Sequence, residues 1–156
     1  MTKLLQTTIA GSLPKPAWLA EPKRSGPPGD SKATRITGAA KKTLGAEWRH
    51  YEQTFPLLAK SSIRQVSLEC ANSQVPIELI GLLEGKDVLV GAIDVATERV
   101  EAPEEVAATI RTALRRVPVE RLYPCTNCGM VPLPRDVARC KLRALAAGAV
   151  LVRAEA

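Results

Sequence analysis

Cys125 and Cys128 enclose Thr126 and Asn127 in a Cys-x-x-Cys spacing. That spacing can put two thiolates on one zinc ion or carry a thiol–disulfide couple. A structural zinc site needs four ligands, usually completed by a second Cys or His pair. The chain has no such pair: Cys70 and Cys140 stand alone, and His50 is the one histidine. A self-contained zinc finger is therefore not expected. The redox alternative has the right order of strand, Cys-x-x-Cys and helix, but Gly129 to Pro134 separate the thiols from the helix N-terminus that would lower a thiol pKa.

Two carboxylates are candidates of another kind. Glu69 stands near the end of the alternating segment Gln65-Val66-Ser67-Leu68-Glu69-Cys70, and Asp94 ends the apolar run beginning at Asp87. For Glu69 the plain alternative is an exposed loop carboxylate, and for Asp94 a cap on the loop that follows. Cys70 and Cys140 read as small packed residues. His50, flanked by Arg49 and Tyr51, reads as part of an exposed helical face.

The elements that must position these residues alternate along the chain. Leu4 to Ala10 reads as a strand entering the loop Gly11-Ser12-Leu13-Pro14. Leu44 to Lys60 carries mixed helical signals, with Pro56 expected to end or kink a helix near Phe55. Gln65 to Cys70 reads as a strand and Pro76 to Leu83 as a short helix begun by proline and stopped at Gly85. Asp87 to Val95 is a nearly continuous apolar run, the pattern of a parallel strand buried on both faces.

A helix should follow. Pro103 lies near its start, Glu104 and Glu105 in the first turn and Arg111, Arg115 and Arg116 toward the end, with Val106, Ile110, Ala113, Leu114 and Val117 as its buried stripe. Arg121 to Tyr123 reads as a third strand and Pro124 to Pro132 as a loop. Pro134 to Ala147 reads as a helix stopped by Gly148, and Ala149 to Val152 as a last strand. This alternation implies an α/β fold of parallel βα units, in which functional groups collect at the carboxyl ends of strands. Glu69, Asp94 and Cys128 all fall there.

Composition excludes other classes. The 156 residues carry a net charge of +6, but seven basic and two acidic residues between Lys23 and Arg49 account for +5 of it. That stretch contains Ser25-Gly26-Pro27-Pro28-Gly29-Asp30-Ser31 and reads as a solvated linker. With five aromatics in the chain and none between Trp18 and Trp48, a base-stacking surface is missing, so no nucleic-acid partner is expected. No apolar run spans a bilayer and no secretory signal is present, which makes the expected location cytoplasmic, without a membrane partner.

Several segments, in order, resemble the cobalamin-independent methionine synthase family, most of all its short, single-barrel members. Thr7-Thr8-Ile9-Ala10-Gly11-Ser12-Leu13-Pro14 is similar to the opening of the catalytic barrel. Val66-Ser67-Leu68-Glu69-Cys70, Gly91-Ala92-Ile93-Asp94-Val95, Asn127-Cys128-Gly129 and the run Pro132 to Arg153 resemble its last third. The resemblance implies a TIM (β/α)8 barrel and zinc-dependent transfer of a methyl group from a methyltetrahydrofolate to the sulfur of homocysteine. It also implies metal-ligand roles for Glu69 and Cys128 and a homocysteine-binding role for Ser12, with Cys125 an accompanying residue.

The departures from the family are specific. Its His-x-Cys ligand pair occurs nowhere in this chain, and Ala96 replaces the histidine of the long enzymes. A complete barrel takes about 250 residues, so the expected architecture is a partial barrel made of the first strand plus the last βα units. Residues 1–21 then hold the first strand and loop, 22–40 a basic linker or deletion junction, and 41–156 the C-terminal βα units. Catalysis by the isolated chain is not expected. Open barrel edges predict self-association, and the alternatives are a non-catalytic remnant or interaction module and a Cys-x-x-Cys redox protein.

Overall fold

The structure, a computed structural model, describes Leu5, Thr7, residues 49–73 and residues 76–155. Apart from Leu5 and Thr7, the expected first strand, Ser12, the 22–40 junction and the start of the Leu44–Lys60 segment lie outside the described residues.

Three parallel strands, β1 (Gln65–Glu69), β2 (Asp87–Ile93) and β3 (Leu122–Thr126), form a sheet in the order β1-β2-β3. β2 takes the centre because its residues are apolar on both faces: Val88, Val90 and Ile93 have no solvent exposure. β1 alternates instead, with Gln65, Ser67 and Glu69 exposed and Val66 and Leu68 packed on the core. Helices α1 (Arg49–Lys60), α2 (Pro103–Leu114) and α3 (Arg135–Arg153) complete the fold. α2 and α3 pack on each other and over β2 and β3, while α1 packs on the 3-10 turn Ile77–Leu82. The core joins Val88 and Val90 to Val106, Ile110, Leu122, Leu145 and Ala149, and Leu5 is buried in it. Arg153 donates a hydrogen bond to the Leu5 carbonyl at 3.3 Å.

The parallel α/β alternation is as expected, and four local expectations are corrected. Pro56 sits inside α1 without ending it. Ile77–Leu82 is a 3-10 turn rather than an α-helix. β3 extends through Pro124 and Cys125 to Thr126, where a loop was expected; Pro124 pairs in register with Val90 at an edge strand of the described sheet, where a missing N–H is tolerated.

The fourth correction concerns Gly148. α3 continues through it to Arg153, so Ala149 to Val152 is helical, not a strand. A Cβ at Gly148 would lie 2.6 Å from the Val106 Cβ and 2.8 Å from the Pro103 carbonyl oxygen. The glycine lets two helices approach and does not stop one. No described helix is long and apolar enough to cross a membrane.

Candidate functional site at the carboxyl edge of the sheet

β1 ends at Glu69, and its register with β2 and β3 sets Glu69, Gly91 and Cys125 in one row across the sheet, on one face. Glu69 is exposed at the end of its strand, and Cys128, two residues beyond β3, is exposed as well. Cys125 is buried completely. Burial pushes its thiol up to about 11, opposed by a hydrogen bond with Ser67. Burial likewise pushes the Cys70 thiol up to about 12, with neighbouring Cys125 adding to it. The Cys-x-x-Cys spacing therefore places one neutral thiol inside the sheet and one thiol outside it. A redox couple needs an accessible thiolate, which Cys125 does not supply.

Between these cysteines lies Asn127, buried to 7 % exposure. Its Oδ1 accepts the Ala71 N–H at 3.2 Å, its Nδ2 donates to the Ala71 carbonyl at 2.9 Å, and its backbone N–H donates to the Ile93 carbonyl at 2.9 Å. Near Gly91 the pairing of β2 with β3 is irregular: Gly91 faces Cys125, but Ile93 faces Thr126. An extra residue of this kind bends a strand end and re-aims the residues beyond it.

The first of those residues is Asp94, 6 % exposed. Its carboxylate accepts the Ala96 N–H at 2.9 Å and the Asn72 Nδ2 at 3.1 Å. Its N–H donates to Glu101 at 2.9 Å, and its carbonyl accepts from the Lys141 ammonium at 2.9 Å. The same ammonium reaches both Glu101 oxygens, at 3.1 and 3.0 Å, and the Arg99 carbonyl. Asp94 thus does cap its loop, and it also faces a cavity of about 680 Å³ lined by Asn72, Thr97, Arg99, Glu101 and Glu105 among others. The Ala102 N–H and then the Arg99 guanidinium hold the Glu105 carboxyl below its usual range.

Residues 49–150 match the sequence profile of the family described as "Cobalamin-independent synthase, Catalytic domain". The chain belongs to this family. As a member of it, the chain is similar to a B12-independent methionine synthase from Shewanella sp. W3-18-1, solved in complex with selenomethionine. The two are 60% identical with a TM-score of 0.72, over 76% of this chain and 35% of that one. It is also similar to methionine synthase of Thermococcus kodakarensis, 36% identical over 60% of this chain and 28% of the relative. A 2-hydroxypropyl-CoM lyase of Xanthobacter autotrophicus is 46% identical over 42% of this chain and 17% of the relative. The chain thus spans about a third or less of the length of these relatives.

The zinc that the family resemblance implies meets an incomplete donor set in this member. Among the described residues no three His, Cys, Asp or Glu side chains converge as metal ligands, whereas a catalytic zinc takes three protein ligands. Glu69 and Cys128 make two. Of the other two cysteines near the edge, Cys125 is completely buried in the sheet and Cys70 is half-buried beside Glu69. The described residues do not by themselves make a complete catalytic zinc site.

Of the residues singled out from sequence, the structure gathers Glu69, Asp94, Cys125 and Cys128 at the carboxyl edge of the sheet; Ser12 lies outside the described residues. Sequence reasoning missed Asn127, Glu101 and Lys141. One signal was available: Lys141 falls at helical spacing between Ala138 and Leu145, a charge inside an apolar stripe.

Proposed function

We propose that the chain is a partial catalytic domain of a homocysteine S-methyltransferase that uses a methyltetrahydropteroylglutamate donor, located in the cytoplasm. In this reading Glu69 and Cys128 are two of the zinc donors, Ser12 contributes to holding homocysteine, and the chain alone does not turn over. The observation that carries it is the placement of exposed Glu69 and Cys128 at one edge of the sheet, with no three potential ligands converging there among the described residues. Four unpaired cysteines suit a reducing compartment.

The test is zinc per purified, desalted chain, with methionine formation assayed on the same sample and on Cys128→Ser. The expected result is zinc far below one per chain and no methionine from the parent. Stoichiometric zinc with methyl transfer in the monomer, both lost in Cys128→Ser, overturns the claim of incompleteness. Stoichiometric zinc confined to an oligomer on sizing overturns it too, because a second copy would then complete the site through the open sheet edges.

A further inference from the structure

We propose that Asn127 is a positioning residue: its carboxamide, lodged over Gly91, sets how far apart the chain segments bearing Glu69 and Cys128 stand. Alternate strands of a sheet lie about 10 Å apart, so β1 and β3 cannot touch through their backbones. Asn127 nevertheless reaches from the end of β3 to the chain just beyond β1, where both its donor and its acceptor meet one residue, Ala71. Ala71 lies two positions after Glu69, and Asn127 directly precedes Cys128.

The crossing needs the space above β2. A Cβ on Gly91 would lie 2.5 Å from the Asn127 Oδ1, 2.9 Å from its Cα and 2.8 Å from the Leu68 carbonyl oxygen. Gly91 is thus required by the amide that passes over it and by the backbone of Leu68 and Asn127 on either side. The Ala71 N–H is shared with the Gly91 carbonyl at 2.7 Å, which binds the tie into the β1–β2 ladder as well. A carboxamide carries a donor and an acceptor side by side in one plane, and here it grips both the N–H and the C=O of one residue. Such second contacts fix the angle and separation of groups that must act together.

The consequence for metal binding rests on the reading of Glu69 and Cys128 as donors; the spacing itself does not. The test attaches nitroxide labels to Cys128 and to the thiol of Glu69→Cys, in a background carrying Cys70→Ala and Cys140→Ser, and reads dipolar broadening by continuous-wave EPR. The untied comparison is Asn127→Ala. The expected result is a well-defined label separation in the background protein and loss of that definition in the variant. Asn127→Asp, which keeps the acceptor and loses the donor, falls between. An unchanged separation in folded Asn127→Ala, even with a lower Tm, overturns the proposal, because a merely structural tie moves stability alone. Where Asn127→Ala does not fold, an unchanged separation in Asn127→Asp overturns it equally. The readout is a distance, so it is decided whatever the zinc measurement gives.

Discussion

Lys141, with no solvent exposure, places its ammonium 3.0 Å from the carboxylate of Glu101, itself 8 % exposed. This pair joins α3 to the loop between β2 and α2, and both partners also hold the backbone of Asp94. Removing one partner leaves an uncompensated buried charge, which costs about 3–5 kcal/mol. Lys141→Met and Glu101→Gln are each expected to lose stability on that scale in urea unfolding. Lys141→Met with Glu101→Leu should recover a large part of it, because neither charge then remains buried. Single substitutions costing no more than about 0.5 kcal/mol, the ordinary surface value, would refute this role.

Gly148→Ala sets two effects against each other. Alanine improves helix propensity by about 1 kcal/mol, but its Cβ would lie 2.6 Å from Val106 of α2 and 2.8 Å from the Pro103 backbone oxygen. Backbone cannot yield as a flexible side chain does, so overpacking wins and the net loss is about 1–3 kcal/mol. Gly81→Ala is the control: its Cβ would meet Arg116 at an ordinary 3.6 Å. A stabilised Gly148→Ala would show that the helices do not need this approach.

Thiol chemistry should separate the two exposed cysteines from buried Cys125. Cys128 and Cys140 are exposed, so a maleimide at neutral pH should modify these two quickly in the native protein, with Cys125 reacting only after unfolding. Burial raises the Cys125 pKa from 9.0 to about 11. Between these values the folded protein keeps a proton that the unfolded chain releases. Its contribution is therefore complete below pH 9 and is lost as pH rises toward 11. Urea midpoints measured from pH 8 to 11 should fall, and fall less in Cys125→Ala.

Asp94 holds the loop at the cavity rim through Ala96 and Asn72. Asp94→Ala removes two hydrogen bonds whose donors, on exposed Asn72 and Ala96, can turn to water, so each costs only the ordinary net value of about 0.5–1.5 kcal/mol. Local opening should expose the chain at Arg99, already largely exposed, and trypsin should cut after Arg99 faster than in the parent. Equal cleavage rates would show that the loop is held from elsewhere.

Much of the fold was legible in the residue pattern because burial writes itself into periodicity. The apolar run from Val88 to Ile93 has the length and β-branched content of a strand covered on both faces, and Val106, Ile110 and Ala113 fall on one helical stripe. Glu69, Asp94 and Cys128 were likewise placeable, since each follows a strand and strand ends collect in one place. Glycine and proline misled the reading at Gly148 and Pro124. Each admits two physical roles: a local break, or a close approach and a tolerated edge. Local sequence does not say what lies opposite.

Tertiary structure decided those two positions by placing Val106 against Gly148 and Val90 beside Pro124. It also decided which polar residues matter inside. Asn127 meets Ala71 across 56 residues of chain, and Lys141 meets Glu101 across 40. No spacing rule reaches that far. A side chain's own sequence neighbourhood specifies its element, whereas its partner is chosen by which strand ends and helix faces the packed core brings together.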